Sequence, residues 1–225
     1  MQPVGTVVAL GAGPTRGAAQ LDATTLACDI LPFGDDLFPR IKRAEAGSLL
    51  LLLADTADDP SLATAAKARR ILQRRGGGEA ALVLPALPAV PGPLARARLD
   101  RAARLTGCCV VQPVRAASWN DAVRCLIEPL SIFGLVGVDP REIHGLLHQR
   151  TALLHRWDDN SLDLTMQTAR EVLLSCRLRP NATLNELDAA ATRVRSATSA
   201  RLVLAGPEVD DGPRALAAVF FDAVS

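Results

Sequence analysis

Residues 48–55 read Ser-Leu-Leu-Leu-Leu-Leu-Ala-Asp, five successive leucines between polar ends. A run of this length suits one strand, and a strand apolar on both sides of its pleat belongs inside a sheet covered on both faces. Similar apolar stretches occupy 6–13, 26–33, 80–87 and 108–114. Between the later ones, 61–75 and 94–106 have helical period and are entered through Asp59-Pro60-Ser61 and Pro91-Gly92-Pro93. Strand alternating with helix predicts an α/β fold with a parallel, Rossmann-like sheet. Ligands of such sheets bind beyond the carboxyl ends of the strands, so the segments after Leu10, Leu53, Leu84 and Val111 are where chemistry is expected.

The second half reads differently. Residues 118–130 have helical period, with Ser118 or Asn120 as cap, and lead through an acidic loop to a further helix expected around 140–156. Helices are expected at 161–176 and 183–197, and the stretches 199–206 and 214–224 read as an antiparallel strand pair around the turn at 208–213. We therefore expect a boundary inside 140–160, dividing a nucleotide-binding-type portion at 1–145 from a small α+β subdomain at 146–225.

Composition removes several function classes. Lys plus Arg (25) balance Asp plus Glu (24), so the chain has no global field to draw in nucleic acid or an anionic membrane, and such a partner needs a local patch. The basic group Lys67, Arg69, Arg70, Arg74 and Arg75 has no interleaved aromatics and reads as a solvated helix face, so no nucleic-acid partner is expected. The start has no basic n-region and the leucine run is too short to span a bilayer, so a cytoplasmic protein without an integral membrane segment is expected. Five cysteines, Cys28, Cys108, Cys109, Cys125 and Cys176, lack CxxC or metal-ligand spacing and read as buried reduced thiols. His144 and His148 share a helix face at i, i+4, but no acid or thiol completes a metal site.

Gly11, Gly13 and Gly17 follow the first strand, where a glycine turn lets backbone amides approach a phosphate. The same spacing suits an NAD(P)-binding Rossmann turn, with Asp29 on a ribose hydroxyl, and also a tight turn without ligand. Asp139-Pro140 is by itself a helix start: an N-cap, proline in the first turn, and Glu142 near the helix dipole.

The segment GLVGVDPREI, 134–143, resembles the synergy loop of the FtsZ/tubulin family, which reads roughly GLINVDFADV. Gly134, Leu135, Val138 and Asp139 match directly, Glu142 stands at the second acid, and Gly137 replaces an asparagine. The run from Ala182 to Phe221 is similar to that family's helix, strand, acidic turn and last strand; ALVLPALPAVPG is similar to its strand before a Pro-rich loop, and CCVVQPV to its strand ending in Pro-Asn.

The resemblance implies an FtsZ/tubulin-type sheet, GTP or GDP at the glycine turn, and Asp139 and Glu142 as carboxylates that polarise water for a nucleotide held by a neighbouring subunit. The departures imply a degenerate relative. Where the family has GGGTGTG this chain has LADTADDPSLATAA, which places Asp55, Asp58 and Asp59 where phosphate oxygens would lie, and Val114 stands at the guanine-reading asparagine. The chain is also shorter than an FtsZ core. We expect a non-catalytic assembly or regulatory protein that needs no cofactor and associates with itself or with an FtsZ-like filament protein. The alternatives are a divergent polymerisation-dependent GTPase using Asp139 and Glu142, and an NAD(P)-binding Rossmann protein.

Overall fold

The computed structural model describes residues 5–10, 28–32, 34, 37–43, 49–74, 78–89, 91–115, 117–131, 134–148, 150–157, 168–178, 181–207 and 216–222. The leucine run forms β3 (Leu49–Ala54), buried at every position. On one side it pairs in parallel with β1 (Gly5–Leu10), which pairs in turn with β2 (Cys28–Pro32). On the other it pairs with β4 (Ala80–Val83), then β5 (Cys109–Pro113), then β7 (Thr151–Trp157), all parallel. The sheet continues through β10 (Leu216–Phe221), antiparallel to both neighbours, to β8 (Glu171–Cys176) and the parallel β9 (Arg201–Pro207). A short β6 (Gly134–Val136) closes the far edge against β9.

Helices cover both faces because successive strand residues point oppositely. Val8, Leu50, Leu52 and Leu82 pack against α1 (Leu37–Ile41), α2 (Asp59–Gln73) and α3 (Pro93–Thr106). The alternate residues Val7, Leu51, Leu53 and Val83 face α4 (Trp119–Ser131) and α5 (Pro140–Leu146). The same core takes in Leu173, Val203 and Phe221, so α4 lies across both halves of the sheet. Their alternates Val172, Leu174 and Phe220 face α6 (Leu184–Ala197). Gly5 permits the contact with α4: a Cβ there would lie 2.6 Å from Ile127 Cδ1.

The first five strands, the helices on α2 and α3, and α4 with α6 agree with the sequence reading. Ser118 and not Asn120 caps α4, donating through its backbone N–H and hydroxyl to Asp121 at 2.9 and 2.7 Å in a capping-box arrangement. Three expectations are corrected. The helix expected over 140–156 stops at Leu146, and 151–157 is strand β7, because its apolar alternates fill the place between β5 and β10. The end of the helix expected at 161–176 is strand β8, and 161–167 lie outside the described residues. Finally, β9 and β10 do not pair with each other, because β8 lies between them.

Cys108, Cys109, Cys125 and Cys176 are buried and form no disulfide. Burial pushes the Cys108 thiol up to about 11 and those of Cys109 and Cys125 higher, so they remain protonated.

Candidate functional site

The parallel registers give the molecule two chemically different ends. β1, β3, β4, β5 and β7 run the same way, and β8 and β9 run with β7 because both β7 and β8 oppose β10. Leu10, Ala54 and Pro113 therefore close one end, while Leu49, Thr151, Glu171 and Arg201 open the other. Six-residue strands separate these ends by about 20 Å.

At the carboxyl end, Gly11, Gly13 and Gly17 follow β1 but lie outside the described residues. The segment after β3 is described. Asp58 is the N-cap of α2, its Oδ1 accepting the Ser61 N–H at 2.9 Å, and Pro60 brings no N–H to the first turn. Hydrogen bonds from the Ser61 side chain and backbone, then from Thr56, hold the Asp58 carboxyl below its ordinary range. This helix end thus presents a carboxylate where a phosphate-binding turn presents free amides. Nearby, Val114 is buried and donates its N–H to Leu154 O at 3.0 Å; its side chain has no group to read a base.

Sequence reasoning missed Gln112, whose buried amide donates to Pro85 O at 2.6 Å and Pro113 O at 2.9 Å, tying the loops after β4 and β5 together. A glutamine amid valines on a buried strand was the available signal. Asp29 is the second residue of β2, opposite Thr6, and so stands away from the strand's carboxyl end, where the sequence reading put it for a ribose.

Asp139 and Glu142 belong to the opposite end. Asp139 caps α5: its Oδ1 accepts the Arg141 N–H at 2.8 Å and its carbonyl accepts the Glu142 N–H at 2.8 Å. Glu142 turns to Arg201, Oε1 to Nη2 at 3.2 Å. Arg201 continues to Glu171 at 2.9 Å, which also binds Arg150, and Arg150 lies 3.7 Å from Asp222. A second network starts at His148, whose Nδ1 is 3.3 Å from Glu79 Oε1. Glu79 pairs with buried Arg69 at 2.8 Å, and Arg69 donates to Gly78 O and Gly107 O. Glu142 in the first turn of α5 and His148 just past its end are therefore both tied by side-chain contacts to residues at the amino ends of strands. His144, half-buried beside this network, is held below its usual range by burial and by Arg69, partly countered by Glu79. Among the described residues no group of three His, Cys, Asp or Glu side chains gathers to hold a metal.

The Glu171 ion pairs give a testable stability term. Burial alone would raise the Glu171 pKa, but the hydrogen bonds and charges of Arg150 and Arg201 outweigh it and hold it below 4.5. A depressed folded pKa means the contribution is complete above about pH 4.5 and disappears as pH falls through the folded value. Glu171→Gln should therefore lose about 1 kcal/mol at pH 7, discounted for solvent screening, and converge on the parent in acid, as read by urea melts from pH 7 to 3.

The chain matches no protein-family model and no curated protein sequence. Comparison with solved structures is decisive for the fold: an empty FtsZ dimer from M. jannaschii superposes with TM-score 0.69 at 14% identity, covering 97% of this chain and 88% of that one. The fold is FtsZ-like. The W319Y FtsZ mutant from the same organism gives TM-score 0.59 at 13% identity, covering 97% of this chain and 90% of that one. The two strands that the periodicity of 140–176 reads as helix, β7 and β8, are integral to this sheet, on either side of β10.

Proposed function

We propose that this FtsZ-like chain is a non-catalytic assembly protein that associates head to tail with its own copies or with an FtsZ-like filament protein, in the cytoplasm. The observation that carries the reading is polarity: Glu142, in the first turn of α5, meets the amino ends of β8 and β9 through Arg201 and Glu171, whereas the segment following β3 leaves the carboxyl end of the parallel strands. A translated copy brings the acidic end of one subunit to the carboxyl end of the next. One of the compared FtsZ structures is itself a dimer. In this scheme 1–145 supplies the nucleotide-type face and 146–225 the smaller subdomain.

The acids support association without turnover. Asp58 caps α2, Asp139 caps α5, and Glu142 is paired with Arg201. The residues described after β3 therefore do not fit a nucleotide phosphate, and no hydrolytic step is assigned to Asp139 or Glu142.

Gly137 is exposed, with open space beyond a would-be Cβ, so a bulky residue there obstructs a neighbour without disturbing the fold. Sedimentation of the parent across protein concentration, with no nucleotide and with GTP or GDP, should show self-association that nucleotide does not alter. Gly137→Arg should remain monomeric with an unchanged melting temperature. A parent that stays monomeric and ignores FtsZ-like filaments defeats the proposal. GTP turnover that rises steeply with protein concentration would instead favour the divergent GTPase.

A further inference from the structure

The overall charge balance leaves room for a local basic face on α2 and α3. α2 and α3 pack side by side on one sheet face, burying Leu62, Ala65, Ala68 and Leu72 from one and Leu99, Ala102 and Ala103 from the other. The positions left outward follow the helix repeat. On α2 and its C-cap, Ala63, Lys67, Arg70 and Arg74 recur at i, i+4, i+7 and i+11, all exposed. On α3 the same spacing gives Leu94, Arg98, Arg101 and Leu105, also exposed. Two neighbouring helices thus present parallel stripes on one surface.

The chemistry of these stripes is unusual for a solvated face. Leu94 and Leu105 are 73% and 54% exposed, among the few large apolar side chains left outside in the described residues, and in this stripe they flank Arg98 and Arg101. Among the described residues, no carboxylate pairs with Lys67, Arg70, Arg74, Arg98 or Arg101. Asp100, the acid on α3, is turned aside and accepts a hydrogen bond from Thr151 Oγ1 at 3.2 Å. Lys67 lies 3.8 Å above the Phe38 ring, which places its charge over α1 and widens the basic surface.

We infer that this face docks on an anionic lipid bilayer, the arginines against headgroups and Leu94 and Leu105 in the acyl boundary. A folded surface that docks peripherally sets basic side chains against anionic headgroups and a few exposed apolar ones beside them, which the α3 stripe supplies with Arg98 and Arg101 between Leu94 and Leu105. A nucleic acid matches the face less well. The helices lie flat beside one another, so neither protrudes into a groove, and the stripes carry no aromatic ring for stacking. The local patch that a balanced chain requires is therefore built by the fold. The inference rests on one subunit's surface and does not depend on head-to-tail association, because the stripes lie on a helical flank and not at either end of the strands.

Flotation with vesicles of phosphatidylglycerol and phosphatidylcholine, against phosphatidylcholine alone, tests it at a protein concentration where the chain is monomeric. The parent should float with the anionic vesicles only and be released by added salt. Arg98→Glu/Arg101→Glu should bind at least about tenfold more weakly. Leu94→Ser/Leu105→Ser, whose sites are exposed and leave the core intact, should also weaken vesicle binding while leaving any retention on duplex DNA unchanged. Circular dichroism confirms folding of both variants, and the leucine pair decides the matter if the charge reversal unfolds. No flotation, equal flotation with neutral vesicles, binding unmoved by the folded variants, or binding to duplex DNA tighter than to anionic vesicles would each overturn the inference.

Discussion

Arg177→Ala should destabilise the protein by about 3 kcal/mol at pH 7 to 8, and the loss should shrink as the solution is acidified. Arg177 Nε stands 3.3 Å from Glu128 Oε2, and their side chains are 14% and 3% exposed. Glu128 comes from α4 and Arg177 follows β8, so the pair joins the spanning helix to the second half of the sheet. Among the described residues, removing the arginine leaves the buried carboxylate facing Arg124 alone, which is 3.8 Å away and far more open to solvent. For a domain of this size a loss of about 3 kcal/mol lowers the melting temperature by about 6–12 °C.

The pH dependence follows from the same burial. Desolvation pushes the Glu128 pKa above its ordinary 4.5, and Arg177 and then Arg124 pull it back. A raised folded pKa means that the folded state holds its proton more tightly than the unfolded chain. The group therefore disfavours folding above its folded pKa, and this cost is relieved as pH falls toward 4.5. Without Arg177 the upward push is less opposed, so the variant's melting temperature should rise on acidification relative to the parent's. Glu128→Leu/Arg177→Leu removes both charges and should recover most of the loss. An Arg177→Ala melt that is parallel to the parent from pH 8 to 5 would mean that Glu128 finds water or another cation.

What the sequence disclosed and what it concealed follow from the range of the interactions. β3 was legible because a five-leucine run of this length between polar ends suits a doubly covered strand, and α2 because Asp58 and Pro60 are local start signals. Asp139 was legible as an N-cap for the same reason. β7 was not, since LLHQRTALLHRW satisfies helical and strand periods alike and the choice is made by partners distant in sequence on β5 and β10. β8 and the placement of β10 between it and β7 depend on the same long-range pairing. Within the candidate site, Asp139 and Glu142 were found, but Arg201 and Glu171 were invisible because they meet Glu142 only through the sheet register. The basic face was half visible: the α2 group was noted and dismissed, and only the packing of α3 beside it aligned the two stripes.

Phe220→Ala should cost about 3–5 kcal/mol and unfold both halves of the chain together. Phe220 is fully buried on β10, its ring 5.6 Å from His155 in an edge-on contact and packed among residues of β8 and α6. Truncating it opens a cavity in the core nearest the proposed 146–225 subdomain, a loss comparable to much of a domain's net stability. If that subdomain melted independently, the variant would lose β7 to β10 while β1 to β5 persisted. The packing argues otherwise, because α4 contributes Val123, Leu126 and Ile127 to a core that contains Leu51 and Leu53 of β3 together with Leu173, Val219 and Phe221. β7 also carries the hydrogen-bonded ladder from β5 directly to β10. Hydrogen exchange should therefore show amides of β3 and β8 losing protection by the same amount in Phe220→Ala. Loss confined to β7 to β10 would establish the 145/146 boundary as a boundary of stability as well as of sequence.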